Sequence, residues 1–233
     1  MSFVLPRPEF PSLAVAGSTG RFPLRRVFCV GRNYADHARE MGHDPDREPP
    51  FFFYKPTDAV VPCDAATAAV AVAYPPATKD LHHEVELVVA LSDGGRDIPV
   101  EQALGKVFGY GVGLDLTRRD LQARAKEKGH PWDMGKGFDQ SAPVSALAPA
   151  SAIGHPSAGA VSLAVNGQVR QRGDLNQMIW TIPEVIANLS TLVELRAGDL
   201  IFTGTPAGVA AVVRGDRLEG RVEGVGGLTV TFA

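Results

Sequence analysis

Apolar and polar residues alternate in many short stretches of this chain, and few segments carry helical spacing. Runs of strand character span 26–31, 51–54, 84–91, 107–115, 161–165, 199–203 and 228–232, rich in β-branched and aromatic residues. Asn166-Gly167, set between alternating residues, predicts a two-residue hairpin. Thr181-x-x-Glu184 reads as a capping box, followed by apolar residues at 182, 185, 186, 189, 192 and 193, which describe one amphipathic helix packed on a core. Thr117-x-x-Asp120 is expected to open a second helix that Gly129 closes. A short third helix is expected to start at Asn33, with Asp36 completing its cap. The fold class is therefore α+β and β-dominated. Regular βαβ alternation is absent, and GYGVG at 109–113 lies inside a strand pattern, so a doubly wound nucleotide-binding fold is not expected.

Composition narrows this picture. Glycine (25) and proline (18) in 233 residues exceed their ordinary shares of about 7 % and 5 %, as many turns and short strands require. Lys+Arg (23) nearly balance Asp+Glu (26), leaving no basic footprint for nucleic acid and no polybasic membrane patch. No apolar run reaches membrane-spanning length, and the opening MSFVLPRPEFP lacks a signal-peptide core. The expected setting is soluble and cytoplasmic, with Cys29 and Cys63 as reduced thiols.

The segment His82-His83-Glu84-Val85-Glu86-Leu87 carries the strongest chemistry. Glu84 and Glu86, two apart on a strand, converge on one face, while Val85, Leu87, Val89 and Leu91 take the other. Unpaired buried carboxylates are costly, and a hard divalent cation such as Mg²⁺ or Mn²⁺ removes the cost; the alternative is a solvated strand face. Asp115, at the end of a glycine-rich strand, is a third candidate ligand or else a helix cap. Adjacent His82 and His83 point to opposite faces and do not suit a cupin-type site. His37 and Glu40 share one side of the short helix, as a base and its orienting carboxylate or as a surface ion pair. Lys136, between Gly135 and Gly137, could approach a bound anion or simply sit in a turn. Arg119 and Gln122 share a helix face next to Asp115, whereas Arg118, Arg124, Lys126, Glu127 and Lys128 read as solvated surface. The turn Thr203–Gly208 offers backbone N–H groups and two hydroxyls to a carboxylate.

In combination, GRNYADHAREMG (31–42), FFFYKP (51–56), HHEVELVV (82–89), GYGVGLDLTRRDLQ (109–122), GHPWDMGKGFDQSAPVS (129–145), VNGQVRQ (165–171) and GDLIFTGTPAGV (198–209) resemble the fumarylacetoacetate hydrolase superfamily, especially its small acylpyruvate-cleaving members. The resemblance implies a mixed β-sheet roll over 25–233 behind an N-terminal extension (1–24), assembled as a homodimer. It implies Mg²⁺ or Mn²⁺ held by Glu84, Glu86 and Asp115. It also implies a lid dyad of His37 and Glu40, with Lys136 catalytic and Arg119, Gln122 and Thr205 binding a 2-keto acid. The implied reaction is hydrolytic C–C cleavage of an acylpyruvate, fumarylpyruvate above others. Oxaloacetate decarboxylation, or another lyase or isomerase reaction at the same metal site, is the alternative. One departure stands out: relatives read Gly-Val-Gly-Pro where this chain has Gly208-Val209-Ala210-Ala211, which bears on the loop behind Thr205.

Overall fold

A computed structural model of the chain describes residues 3–6, 9, 11–40, 48–66 and 68–233. The expected strands assemble into a large mixed sheet. The strands that position the site are β1 (Val27–Gly31), β2 (Phe51–Lys55), β3 (Val60–Cys63), β4 (Val85–Leu91), β5 (Val107–Leu114), β6 (Ala142–Ser145) and β7 (Leu200–Phe202), in the order β2-β1-β7-β4-β5-β6-β3. The β1–β7 and β6–β3 pairings are parallel and the rest antiparallel. A second sheet, of Val70–Val72, Ala160–Val165, Gln168–Asp174, Arg217–Val222 and Gly226–Phe232, faces it. The hairpin at Asn166-Gly167 forms with φ of 51° and 79°, the left-handed pair such a turn needs.

β4 is buried on both faces. Val85, Leu87, Val89 and Leu91 pack with Leu163, Leu218 and Val230 of the second sheet, while Val88 and Ala90 face Val27, Leu200 and Phe202. Each large apolar side chain removed from water here contributes about 1.5–3 kcal/mol, which explains why this strand anchors the fold. Glu86 therefore sits in a strand that tolerates a charge only where partners meet it. Opposite Glu86 stands Gly113, where a Cβ would lie 2.4 Å from the Phe202 ring and 2.6 Å from Val88. Only glycine lets the strands close at that point.

Four helices matter for the site: α1 (Ala35–Glu40), α2 (Arg119–Glu127), α3 (Asp133–Lys136) and α4 (Ile182–Leu192). The capping box of α4 forms as expected, with the Thr181 N–H donating to Glu184 at 2.9 Å. Gly129 closes α2 with φ 63°, its N–H reaching the Lys126 carbonyl at 3.2 Å. Two helix starts differ from expectation. Thr117 does not cap α2; it lies in a short strand paired with His82. Asp120 instead accepts hydrogen bonds from the Thr78 hydroxyl and the Lys79 N–H. Likewise Asn33 does not cap α1, and Asp36 pairs with Arg39 at 2.7 Å. At Thr117 and Asn33 partners distant in sequence take the polar group that local capping would have used, Lys136 for the Thr117 hydroxyl and the Trp180 and Thr203 carbonyls for the Asn33 amide. Residues 41–47, which follow α1, lie outside the described residues. Segments Ser12–Ala14 and Arg21–Pro23 pair as a hairpin, burying Leu13 and Phe22 against the second core cluster. Cys29 and Cys63 are buried free thiols. No helix among the described residues is long and apolar enough to cross a membrane.

Candidate metal centre and substrate cleft

Glu84 and Glu86 project from the start of β4, and Asp115 follows the end of β5. The Asp115 N–H donates to the Glu84 carbonyl at 2.8 Å, which locks the two strand ends together. One carboxylate oxygen from each residue lies within 4.8 Å of the others, and all three side chains are buried. Two unit charges at that separation repel by roughly 3–4 kcal/mol for an effective dielectric near 20, so the cluster requires cations.

The protein supplies part of that charge. Lys136, the last residue of α3, donates to Glu84 at 2.9 Å, Asp115 at 2.7 Å and the Thr117 hydroxyl at 2.7 Å. Lys55, the last residue of β2, lies 2.8 Å from Asp115 Oδ1. From α2, Arg119 donates to Glu84 at 2.5 Å and to Gln122 Oε1 at 2.6 Å. Burial works to raise the Glu84 carboxyl, but Lys136, Arg119 and His37 outweigh it and hold it far below the ordinary range. Lys136 is held above its ordinary value by Asp115 and Glu84 despite burial. Glu86 differs. Burial, then Asp115 and Glu84, push its carboxyl well up, opposed by the Gly204 N–H at 2.6 Å and by Lys136.

These residues fit a divalent cation. Buried Asp115 Oδ1 faces Lys55 at 2.8 Å without hydrogen-bond geometry, Glu86 lacks a close cationic partner among the described residues, and the donors are all oxygen, as Mg²⁺ and Mn²⁺ prefer.

The cleft above the triad, about 440 Å³ with the solvent at its mouth, brings together every site residue that the resemblance implied except Glu40. His37 lines it from α1, with Nδ1 3.4 Å from Glu40 Oε2. Glu40 in turn accepts the Gly208 N–H at 3.1 Å, which latches α1 to the Thr203–Gly208 turn. Gly204 in that turn has φ 98°, where a side chain would be strained, and a Cβ there would stand 2.7 Å from Asn33. Thr205 lines the cleft, but its hydroxyl donates to the Val85 carbonyl at 2.7 Å and accepts from Gln171 at 2.8 Å. Ala210 accepts the His83 N–H at 3.3 Å and leads into the strand Ala211–Val212. His82 and His83 point to different partners: His82 contacts Asp80 and Arg119, His83 contacts Gln171.

Sequence reasoning missed several neighbours. Lys126 was expected on the solvated surface, yet it lines the cleft. Its position, four after Gln122 and seven after Arg119, is the signal that could have found it. Lys55 and Gln171 had none beyond their motifs, because their partners come from distant strands. Arg32 and Trp132 also line the cleft.

Residues 26–233 match the fumarylacetoacetate (FAA) hydrolase C-terminal family, and the chain belongs to that family. Among solved structures it is similar to a fumarylpyruvate hydrolase from Pseudomonas aeruginosa in complex with Mn²⁺ and pyruvate, with 55 % identity, a TM-score of 0.97, and coverage of 100 % of this chain and 99 % of that one. It is 43 % identical to a fumarylpyruvate hydrolase of Ralstonia sp. over 82 % of this chain and 97 % of that protein. It is also 43 % identical to the mitochondrial oxaloacetate tautomerase of Rattus norvegicus, over 86 % of this chain and 88 % of the relative.

Proposed function

We propose that this protein is a metal-dependent hydrolase that cleaves an acylpyruvate, fumarylpyruvate by preference, to a carboxylic acid and pyruvate. The observation that carries the reading is the buried triad Glu84, Glu86 and Asp115 facing His37 across one cleft. The P. aeruginosa relative, with Mn²⁺ and the expected product pyruvate, supports it.

Glu84, Glu86 and Asp115 would hold Mg²⁺ or Mn²⁺. A bound ion supplies positive charge against the negative charge that develops on the departing pyruvyl unit. The chain's own residues do the rest. Lys136, Arg119 and Gln122 orient the pyruvyl end, with Thr205 and its turn closing the floor. Glu40 accepts the Nδ1 proton of His37 and leaves Nε2 to take a proton from water. The water oxygen bonds to the distal carbonyl carbon, the adjacent C–C bond breaks, and the pyruvyl carbon that held it is finally protonated. Water is thereby divided between the acid and pyruvate. General-base assistance of this kind contributes about 10²–10⁴-fold. The same reading makes the protein a cytoplasmic homodimer.

The test is a panel of fumarylpyruvate, maleylpyruvate, acetylpyruvate and oxaloacetate, with Mg²⁺ and with Mn²⁺, followed by enol absorbance. Fumarylpyruvate should turn over fastest. His37→Ala should lower kcat by about 10²–10⁴ with Mn²⁺ affinity retained. Action on oxaloacetate alone would assign the site to the chemistry of the rat relative.

A further inference from the structure

The mouth of the cleft carries positive charge that the triad does not use. Arg32 follows β1 with φ 58°, a left-handed conformation that residues with a Cβ seldom adopt without compensation. Its guanidinium carbon lies 5.3 Å from the centre of the Phe51 ring. Lys126, two turns along the same face of α2 from Arg119, holds its ammonium 4.9 Å from the centre of the Trp132 ring. Phe51 and Trp132 meet edge to face at 5.2 Å, and the Phe51 ring lies so close to Gly31 that a Cβ there would fall 2.0 Å from it. Two cations are thus mounted on one rigid aromatic wall of the cleft.

Among the described residues neither Arg32 nor Lys126 has a carboxylate partner within ion-pair distance, whereas Glu84 and Asp115 are already met by Lys136, Arg119 and Lys55. The Lys126 ammonium is pushed down to about 8 by burial and then by Arg119, Arg32 and Lys136, with Glu84 opposing only in part, as expected of a half-buried cation mostly among like charges. A cation–aromatic contact holds such groups in place but does not neutralise them.

We propose that Arg32 and Lys126 form a second carboxylate subsite that binds the far end of the acyl group, so that the preferred substrates are acylpyruvates ending in a carboxylate. The inference rests on the reading above, in which the pyruvyl end sits at the triad. An extended molecule anchored there by its 2-keto acid end would then present its other terminus to the cleft mouth. Arg32 supplies planar donors suited to carboxylate and Lys126 a point charge.

The experiment uses two ligands that cannot be cleaved, because both lack the second carbonyl: 2-oxoheptanedioate and 2-oxoheptanoate. They share a chain length and differ only in the terminal carboxylate. Each is titrated calorimetrically into the Mn²⁺-loaded protein. The wild type should favour the diacid by about tenfold or more, the scale of one charge-assisted contact of roughly 1.4 kcal/mol. Lys126→Gln and Arg32→Gln should each shrink that ratio, and Lys126→Arg should restore it. In parallel, the kcat/KM ratio of fumarylpyruvate over acetylpyruvate should fall in the glutamine variants. Equal binding of the two acids by the wild type, or a ratio unmoved in both variants, overturns the proposal. Because the titration needs no turnover, a protein that hydrolyses no acylpyruvate yet keeps the diacid preference would refute the reaction and not the subsite.

Discussion

Glu84 and Glu86 are two positions apart and live in opposite electrostatic surroundings. Glu84 is enclosed by Lys136 and Arg119 and ionises more readily than a free carboxyl, while Glu86 is pushed up by burial, Asp115 and Glu84. This difference sets a pH dependence. In the metal-free protein Glu86 keeps its proton above pH 4.5, the ordinary value, where the unfolded chain has already lost it. The folded state then binds more protons than the unfolded one, so stability falls as pH rises above 4.5, by at most about 1.4 kcal/mol per pH unit for one proton. A cation displaces that proton. The lowered pKa values of His82 and His83 make stability rise with pH over the acid end of the same range, so Glu86 is isolated by comparison with Glu86→Gln, which keeps both histidines. The Tm of metal-free wild type relative to that of Glu86→Gln should decline from pH 5 to pH 8, and Mn²⁺ should raise the wild-type Tm more at pH 8 than at pH 5. A relative Tm that climbs over that range would contradict the account of Glu86. At this scale the triad could be read from the chain, because i, i+2 geometry and carboxylate chemistry are local. The partners of the triad could not: Lys55 reaches Asp115 from a separate strand, and nothing near residue 55 announces it.

Among elements, α1 shows how a short helix is held where it can act. Six residues cannot sustain an isolated helix, and Asn33 supplies a tether from outside it. The Asn33 amide donates to the carbonyls of Trp180 at 2.9 Å and Thr203 at 2.8 Å and accepts the Trp180 N–H at 2.7 Å. Those bonds join α1 to the approach to α4 and to the turn that carries Gly204. Asn33→Ala leaves buried groups unpaired, each worth about 1–3 kcal/mol. It should lower the urea midpoint and reduce kcat, since His37 loses its register with the triad; a variant with unchanged midpoint and kcat would deny Asn33 this role. The same bonds explain why the expected cap at Asn33 did not form. The capping pattern at Thr181 succeeded because both its partners lie within four residues. The pattern at Thr117 failed because its hydroxyl accepts from Lys136 and its backbone pairs with His82. A local motif holds where no distant group competes for the same atoms.

For the whole molecule, the hairpin over 12–23 is part of the core and not an appendage. Leu13 and Phe22 are buried against the face of the main sheet that also carries Val88, Leu200 and Phe202, and Leu147 donates its N–H to Ala14 at 2.8 Å. Removing residues 1–24 should cost about 3–6 kcal/mol from those two side chains alone, at roughly 1.5–3 kcal/mol each. Urea unfolding of the truncated chain would measure it, and an unchanged midpoint would show the hairpin to be dispensable. By itself the sequence determined the β-dominated class, most strand positions, the capped helix α4, the closing Gly129, and the acids and histidine that suit a metal-dependent cleft. All of these follow from periodicity and residue chemistry over a few positions. Only the tertiary structure decided which cations face the acids, that Lys126 turns inward beside Arg32, and that Asn33 and Thr117 leave their local motifs. Those outcomes depend on distances between segments 19 to 170 residues apart, and pairings across such separations are set by how the two sheets and the helices pack together.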